Sequence, residues 1–542
     1  MTDRELKIKE VLGYEATDTQ LNLLKFLTNG IGNAVVQSMA GSGKSSTIKL
    51  LVKFIPENKK VLIIAHNRHI RDEIKNKIGN CSNVTVLTYH ALGYKILRQH
   101  LGNKPIDDNK YKNYLYKNIE VLDPESQTMS RFEKNRYCQR IERIIDYCMY
   151  NFAQSVKEIH KMIVKYDIRT SSNEVSVVHK MLKWGQSNLD TLSLQDLIWL
   201  PFELGYAATI KSMQYDYIFV DEAQDSSIAQ QKLIDMCIYR KTRIFCFGDK
   251  KQTINSWCGA DEDAFTNFNK RPNTKQFKLS KSFRCSKAVA HEVKTIVPDF
   301  EVFEGAKEGK VIHDTTISNI KPGDLVLCRF SAPLIKLGIK LLEKGYKISM
   351  KDTDIVKDTM VKLSEMNGKT TKEFLSELYG DLFKMWDDKV QQYECNYKEA
   401  LSDGDIVRQY NTVLTFESLS EGLTTESEIR NRLEMLMNDD STNDKIIKTD
   451  KINLFTVHKA KGLECKNVFI LCPSLMPSKF AVTDMDLISE DNLIYVAWSR
   501  ALENLYFVSE RDFSPNKGYC DMNELYKELK EKKENFNGNF ER

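Results

Sequence analysis

The sequence predicts an α/β protein with two parallel-sheet domains, each carrying a mostly helical insertion. Three observations predict it. Short apolar runs alternate with helical patterns through the first quarter of the chain. The same alternation starts again near residue 272. Between and after these sets lie long stretches with helical charge spacing and no strand signal.

Taken in order, NAVVQSM (33–39), KVLIIAH (60–66) and VTVLTYH (84–90) read as buried strands, each followed by a helical stretch. From about 95 to 190 the pattern is helical, as in RFEKNRYCQRIERIIDYCM. Strand signals return at YDYIFVD (215–221) and TRIFCFGD (242–249). The first sheet domain is therefore expected at 1–94 and 191–271, with 95–190 inserted. The second set comprises KQFKLS, DLVLCRF and YKISM, then INLFTVH, KNVFILC and NLYFVSE. It places a second sheet domain at 272–350 and 450–515, with a helical insertion at 351–449. Residues 516–542 read as a charged helical tail with a solvated face.

The 542 residues exceed one ordinary core, so several domains are expected. A hydrophobic fraction of 42% and a charged fraction of 28% are ordinary for a soluble globular chain. The net charge of +4 neither requires nor excludes a nucleic-acid partner; a local basic groove would matter more. The 12 cysteines form no CxxC pair and no zinc-spaced cluster, which fits reduced core residues of an intracellular protein. The charged N-terminus is unlike a signal peptide, and no apolar run is long enough to span a membrane.

The chemistry concentrates in two stretches. SMAGSGKSS (38–46) follows a strand and precedes a helical run, the context a phosphate-binding P-loop needs. Ala40, Gly41, Ser42, Gly43, Lys44, Ser45 and Ser46 would cradle a nucleotide. Lys44 would reach the β- and γ-phosphates, and Ser45 would bind Mg²⁺. Ser38 stands where this pattern usually has Gly or Ala. In YDYIFVDEAQDSS (215–227) an apolar strand ends in two adjacent acids. Asp221 would hold Mg²⁺, and Glu222 would polarise the attacking water as general base. The structural alternative is a polar strand-to-helix turn in which Asp225 and Ser226 cap the next helix.

VDEAQD resembles the Walker B motif of superfamily-1 helicases of the UvrD/Rep type. Further segments resemble that family's motifs in the family's order over nearly the whole chain. They include ATDTQLNLLKF, AHNRHIRDEI, LTYHALG, LSLQDLIWLP, FGDKKQTINSWCGA, LSKSFRCS, TVHKAKGLE and NLIYVAWSRA. The F-box DNA helicase branch is similar in GKSST, HNRHI, TYHALG and TVHKAKGLE, although no F-box extension is evident.

The resemblance implies two RecA-like motor domains with ATP between them, and ATP and Mg²⁺ as cofactors. Single-stranded and tailed duplex DNA are the implied partners, with replication or recombination proteins beside them and the chain acting as a monomer. It implies that Gln20 reads adenine, Phe283 stacks on it and Glu464 contacts ribose. Arg284 and Arg500 match arginine fingers, and Gln252 matches the γ-phosphate sensor. Trp257 matches an aromatic that stacks on a DNA base; its alternative is a core tryptophan. His66 stands where relatives often stack Phe. Asn67, Thr88, His90, Thr456 and His458 are candidate DNA-backbone contacts, or else strand-end caps. Asn255 and Cys258 depart from the family's common Tyr and Arg. The implied function is a 3′→5′ DNA translocase and helicase in replication, repair or recombination. Alternatives are an ATP-driven remover of proteins from DNA and a non-motor ATP switch. Trp257, Arg284 and Arg500 weigh against the switch.

Overall fold

The computed structural model describes residues 3–165, 168, 170–206, 213–254, 263–350, 359–360, 362–393, 395–401, 403–437, 447–481, 484–515 and 522–538. It divides into two units, Met1–Ser280 and Lys281–Arg542.

In the first unit, six strands run parallel: β1 (Asn33–Ser38), β2 (Val61–Ala65), β3 (Val84–Thr88), β4 (Tyr217–Val220), β5 (Arg243–Gly248) and β6 (Thr274–Leu279). Their order across the sheet is β3-β2-β4-β5-β1-β6. Alternate residues feed separate cores on the two faces. Val36, Ile63, Phe219 and Phe245 pack on one side, and Val35, Ile64, Ile218 and Cys246 on the other. Burial on both faces explains the near-continuous apolar runs. It also places the ends of β1, β5 and β4 side by side at the carboxyl edge, where open parallel sheets bind ligands.

β6 corrects the expected division of the chain. Its segment KQFKLS was assigned to the second set, yet it pairs with β1 from Asn33↔Thr274 to Ser38↔Leu279. The first sheet takes it as an edge strand, with largely exposed side chains.

Helices Lys110–Leu122, Arg131–Asn151, Val156–Lys165 and Ser172–Ser187 build a further core in this unit. Helix Tyr89–Leu101 runs through the boundary expected at 94/95, so the chain changes role within a continuous helix. Buried Asp196 ties the helical region to helix Asp196–Glu203. It accepts hydrogen bonds from Lys110 Nζ at 2.6 Å, the Tyr111 hydroxyl at 2.6 Å, Trp199 Nε1 at 3.1 Å and the Ser193 amide at 3.0 Å.

The second unit begins with a short parallel pair, β7 (Lys281–Ser282) and β8 (Glu301–Val302). A second six-stranded parallel sheet follows: β9 (Lys310–Thr315), β10 (Leu325–Cys328), β11 (Ile348–Met350), β12 (Ile452–Thr456), β13 (Cys465–Ile470) and β14 (Ala501–Val508). Its order is β11-β12-β10-β13-β14-β9. Helices Thr371–Tyr393, Gly404–Ser420 and Glu426–Met437 share one hydrophobic core with this sheet, through Leu334, Trp386, Leu414 and Leu454.

The C-terminal helix Met522–Gly538 is docked rather than merely solvated. Leu525 and Leu529 are buried in the same core, and Tyr526 packs edge-on against Trp386. Among the described residues no helix is long and apolar enough to cross a membrane.

Candidate active site

At the end of β1 the chain turns sharply. Gly41 and Gly43 adopt positive φ, 71° and 80°, conformations that favour glycine. Gly43 lies immediately before helix Lys44–Lys53, whose amino end faces the loop. The Ser42 hydroxyl is buried without a hydrogen-bond partner, so an oxygen-rich ligand there would satisfy it. Ser38 is accommodated because its hydroxyl donates to its own strand, at Val36 O, 3.2 Å.

Lys44 joins this loop to the end of β4. Its ammonium lies 3.2 Å from Asp221 Oδ1 and also pairs with Glu222 Oε1. Burial pushes the Lys44 pKa down, but the two carboxylates more than offset this and hold the amine protonated. Burial raises the Asp221 pKa and Glu222 adds to it, against the pull of Lys44. Glu222 itself sits at φ 50°, ψ 45°, in the left-handed region. A non-glycine residue held there carries backbone strain of about 1–3 kcal/mol, which functional sites often store.

A buried network fixes Glu222. Gln224 Nε2 donates to Glu222 Oε2 at 2.7 Å, and Gln224 Oε1 accepts from the Asp249 amide at 3.1 Å. Asp249 follows β5, between the ends of β4 and β1. Its carboxylate accepts from Gln252 Nε2 at 2.8 Å and Gln37 Nε2 at 3.2 Å. Gly248 leaves room for this, since a Cβ there would collide with Gln224 Oε1. Gln224 and Asp249 lie outside the candidate set that the sequence supplies. The pairing of β4 with β5 brings them together, and local pattern carries no sign of that. The capping alternative is corrected in detail: Ser227, not Asp225 or Ser226, caps helix Ile228–Asp235, in a reciprocal box with Gln230.

The residues fit a Mg²⁺–triphosphate ligand. Asp221 offers a buried carboxylate whose neighbouring cation is Lys44, 3.2 Å from Oδ1, and Ser45 lies in the first turn of the adjoining helix. Among the described residues no cluster of three or more His, Cys, Asp or Glu could hold a metal by itself. Mg²⁺ takes one or two protein oxygens and completes its shell with phosphate and water, a demand that Ser45 and Asp221 can meet.

Gln20 is fully buried beside the loop. Its Nε2 donates to Thr47 Oγ1 at 3.0 Å, and its Oε1 accepts from the Thr17 amide at 3.0 Å. In the second unit, Arg284 Nε pairs with Glu464 Oε2 at 2.7 Å, next to exposed Phe283. Arg500 is fully buried. Its guanidinium donates to Val496 O at 2.8 Å, Leu463 O at 3.2 Å and Ser499 Oγ at 2.9 Å. Burial, then the charge of Arg284, lowers its pKa to about 10.

The DNA candidates divide by position. Asn67 Oδ1 caps helix Arg68–Ile78, and Thr88 Oγ1 caps helix Tyr89–Leu101. His66 and His90 lie close together, and burial followed by His66 lowers the His90 pKa. Thr456 and His458 lie at the carboxyl edge of the second sheet, whereas Glu464 and Arg500 immediately precede β13 and β14 at its amino edge. Burial, Arg329 and Lys459 hold His458 neutral, at about 3. Asn255, Trp257 and Cys258 lie outside the described residues.

Two parallel-sheet units, with a lysine–carboxylate cluster at a glycine loop, define the class of P-loop nucleotide-hydrolysing enzymes. The UvrD/REP helicase N-terminal domain model matches residues 19–273, and the UvrD-like helicase C-terminal domain model matches 451–508. Together they span more than half of the chain, and the chain belongs to the UvrD/Rep family of helicases.

A probable DNA helicase II homolog of Mycoplasma genitalium is 24% identical over 90% of this chain and 84% of its own length. The ATP-dependent DNA helicase Rep of Buchnera aphidicola is 22% identical over 89% of this chain and 93% of its own. The ATP-dependent DNA helicase PcrA of Leuconostoc citreum is 23% identical over 50% of this chain and 39% of its own.

Proposed function

We propose that this protein is an ATP-dependent DNA helicase that moves along single-stranded DNA, 3′→5′, and unwinds tailed duplexes. The observation that carries the reading is the placement of Lys44 against Asp221 and Glu222. It sets one ammonium against two carboxylates beside a glycine loop, an arrangement that supports phosphate, metal and base roles for these residues.

The residues divide the work of hydrolysis. The loop amides, the Ser42 hydroxyl and Lys44 bind the phosphates of ATP. Ser45 and Asp221 would hold Mg²⁺, which when bound neutralises phosphate charge. Glu222 takes the proton of the attacking water at its carboxylate, oriented by Gln224. Gln252 senses the γ-phosphate, and Asp249 ties it to Gln224. Arg284 supplies positive charge to the transition state. Arg500 can do so only by leaving its carbonyl partners. Gln20 and Phe283 take adenine, and Glu464 takes ribose. DNA contacts are assigned to His66, Asn67, Thr88, His90, Thr456 and His458, and base stacking to Trp257 on its sequence motif alone. His458, neutral at pH 7, contributes hydrogen bonding rather than charge.

The test is ATP hydrolysis with and without single-stranded DNA. Strong stimulation is expected. Turnover already saturated without nucleic acid would favour the ATP-switch alternative.

A further inference from the structure

Phe283 and Phe303 are two of the exposed large apolar side chains of the second unit, 41% and 45% exposed. They are also neighbours: their ring centroids lie 5.4 Å apart, with planes tilted by 33°. The local fold places them side by side. β7 and β8 pair in parallel through Lys281↔Glu301 and Ser282↔Val302, so Phe283 and Phe303 are the next residue on each strand. The Phe303 amide extends the ladder by donating to Ser282 O at 2.9 Å, and Ser282 is fully buried.

The far side of the Phe303 ring is shaped too. A tight turn returns the Ala306 amide to Phe303 O at 2.9 Å. The ring lies over Gly305, where a Cβ would come within 2.6 Å of Phe303 Cε1. Glycine thus keeps open the space this ring occupies. The pair adjoins polar groups suited to the rest of a nucleotide, because Arg284 follows Phe283 and is bonded to Glu464 at 2.7 Å.

We propose that Phe303 is a second aromatic element of the nucleobase platform, holding the Phe283 ring in place and widening the stacking surface to the size of a fused purine. This rests on the reading of Phe283 as the adenine-stacking residue. One phenyl ring covers roughly one ring of a base, whereas a second exposed ring 5.4 Å away extends the aromatic surface toward the size of a purine. Two exposed phenylalanines are otherwise costly to leave in water. Phe303 is a positioning and specificity residue and takes no part in phosphate chemistry.

The experiment measures steady-state hydrolysis of ATP and CTP, with single-stranded DNA present, by wild type, Phe303→Ala, Phe303→Trp and Phe283→Ala. Melting temperatures are recorded on the same preparations. Phe303→Ala should raise KM for ATP roughly 5- to 10-fold, the lower end of a lost base-stacking contact, with kcat within about twofold. KM for CTP should change less, so purine preference narrows, and Phe303→Trp should restore it. If Phe283→Ala raises KM for ATP and Phe303→Ala does not, the platform is one ring and the proposal fails, while base stacking by Phe283 stands. If neither variant changes KM, base stacking by Phe283 fails and takes the proposal with it. A fall in kcat or melting temperature in Phe303→Ala at unchanged KM would make Phe303 a structural residue and overturn the proposal.

Discussion

Lys44 Nζ lies 3.2 Å from Asp221 Oδ1, which joins the ends of β1 and β4 although β5 runs between them. One ammonium thus balances the acid proposed to hold the metal and the acid proposed to take a proton. Lys44→Ala removes the phosphate-neutralising charge and leaves Asp221 and Glu222 without their shared cation. ATP turnover should fall at least about 100-fold. Near-wild-type hydrolysis would refute the phosphate-site assignment.

Glu222→Gln keeps the shape of the side chain and loses its basicity. It should bind Mg²⁺–ATP and single-stranded DNA but not turn over. Equilibrium binding of a fluorescent ATP analogue, alongside steady-state hydrolysis, checks this. Normal turnover would exclude Glu222 as the base.

Gln224 acts through Glu222, so Gln224→Leu should lower kcat by roughly 10-fold or more while KM for ATP stays nearly constant. A variant with lowered stability and an unchanged kcat would make Gln224 merely structural.

These residues also show what the sequence could disclose. Strands β2, β4 and β5, interior to the first sheet, were legible because parallel strands covered on both faces read as unbroken apolar runs. β9 was not, because KVIHDT lies at the sheet edge with mostly exposed side chains. The sheet to which β6 belongs was hidden too, since pairing partners leave no trace in local periodicity. The glycine loop and the acid pair at the end of β4, with the roles proposed for them, were legible because each chemistry needs a fixed local spacing. The Gln224–Asp249 link was not, because it depends on which strands are neighbours. Two signals were present but unread. Ser227 and Gln230 have capping-box spacing, and Leu525 and Leu529 lie one helical turn apart in the charged C-terminal helix.

Asp196 satisfies four donors, among them the buried Lys110 ammonium. Asp196→Ala strands that charge and should destabilise the first unit by about 3–5 kcal/mol. Lys110→Met combined with Asp196→Leu should recover only the part due to the stranded charge, because Tyr111, Trp199 and Ser193 still lose their acceptor. Denaturant unfolding followed by tryptophan fluorescence reads both. An unaffected single variant would contradict the hub role.

His458 carries a predictable acid sensitivity. Its folded pKa lies near 3, below the ordinary value of 6.5. Between these values the unfolded chain binds a proton that the folded chain does not. The stability from neutral His458 is therefore full above about pH 6.5 and declines as pH falls toward 3. Wild type should lose about 1–2 kcal/mol from this group between pH 7 and pH 5. His458→Gln should show a shallower drop in melting temperature over that interval; an identical drop would remove His458 as its source.

The most direct measurement is strand separation of matched 3′-tailed and 5′-tailed duplexes, with Mg²⁺ and ATP, by wild type and Glu222→Gln. A 3′→5′ DNA helicase driven by this site should unwind the 3′-tailed duplex, leave the 5′-tailed one largely paired, and lose both ATP turnover and unwinding in Glu222→Gln. Unwinding that persists in Glu222→Gln, or an absence of unwinding on both substrates by wild type that hydrolyses ATP in response to single-stranded DNA, would contradict it.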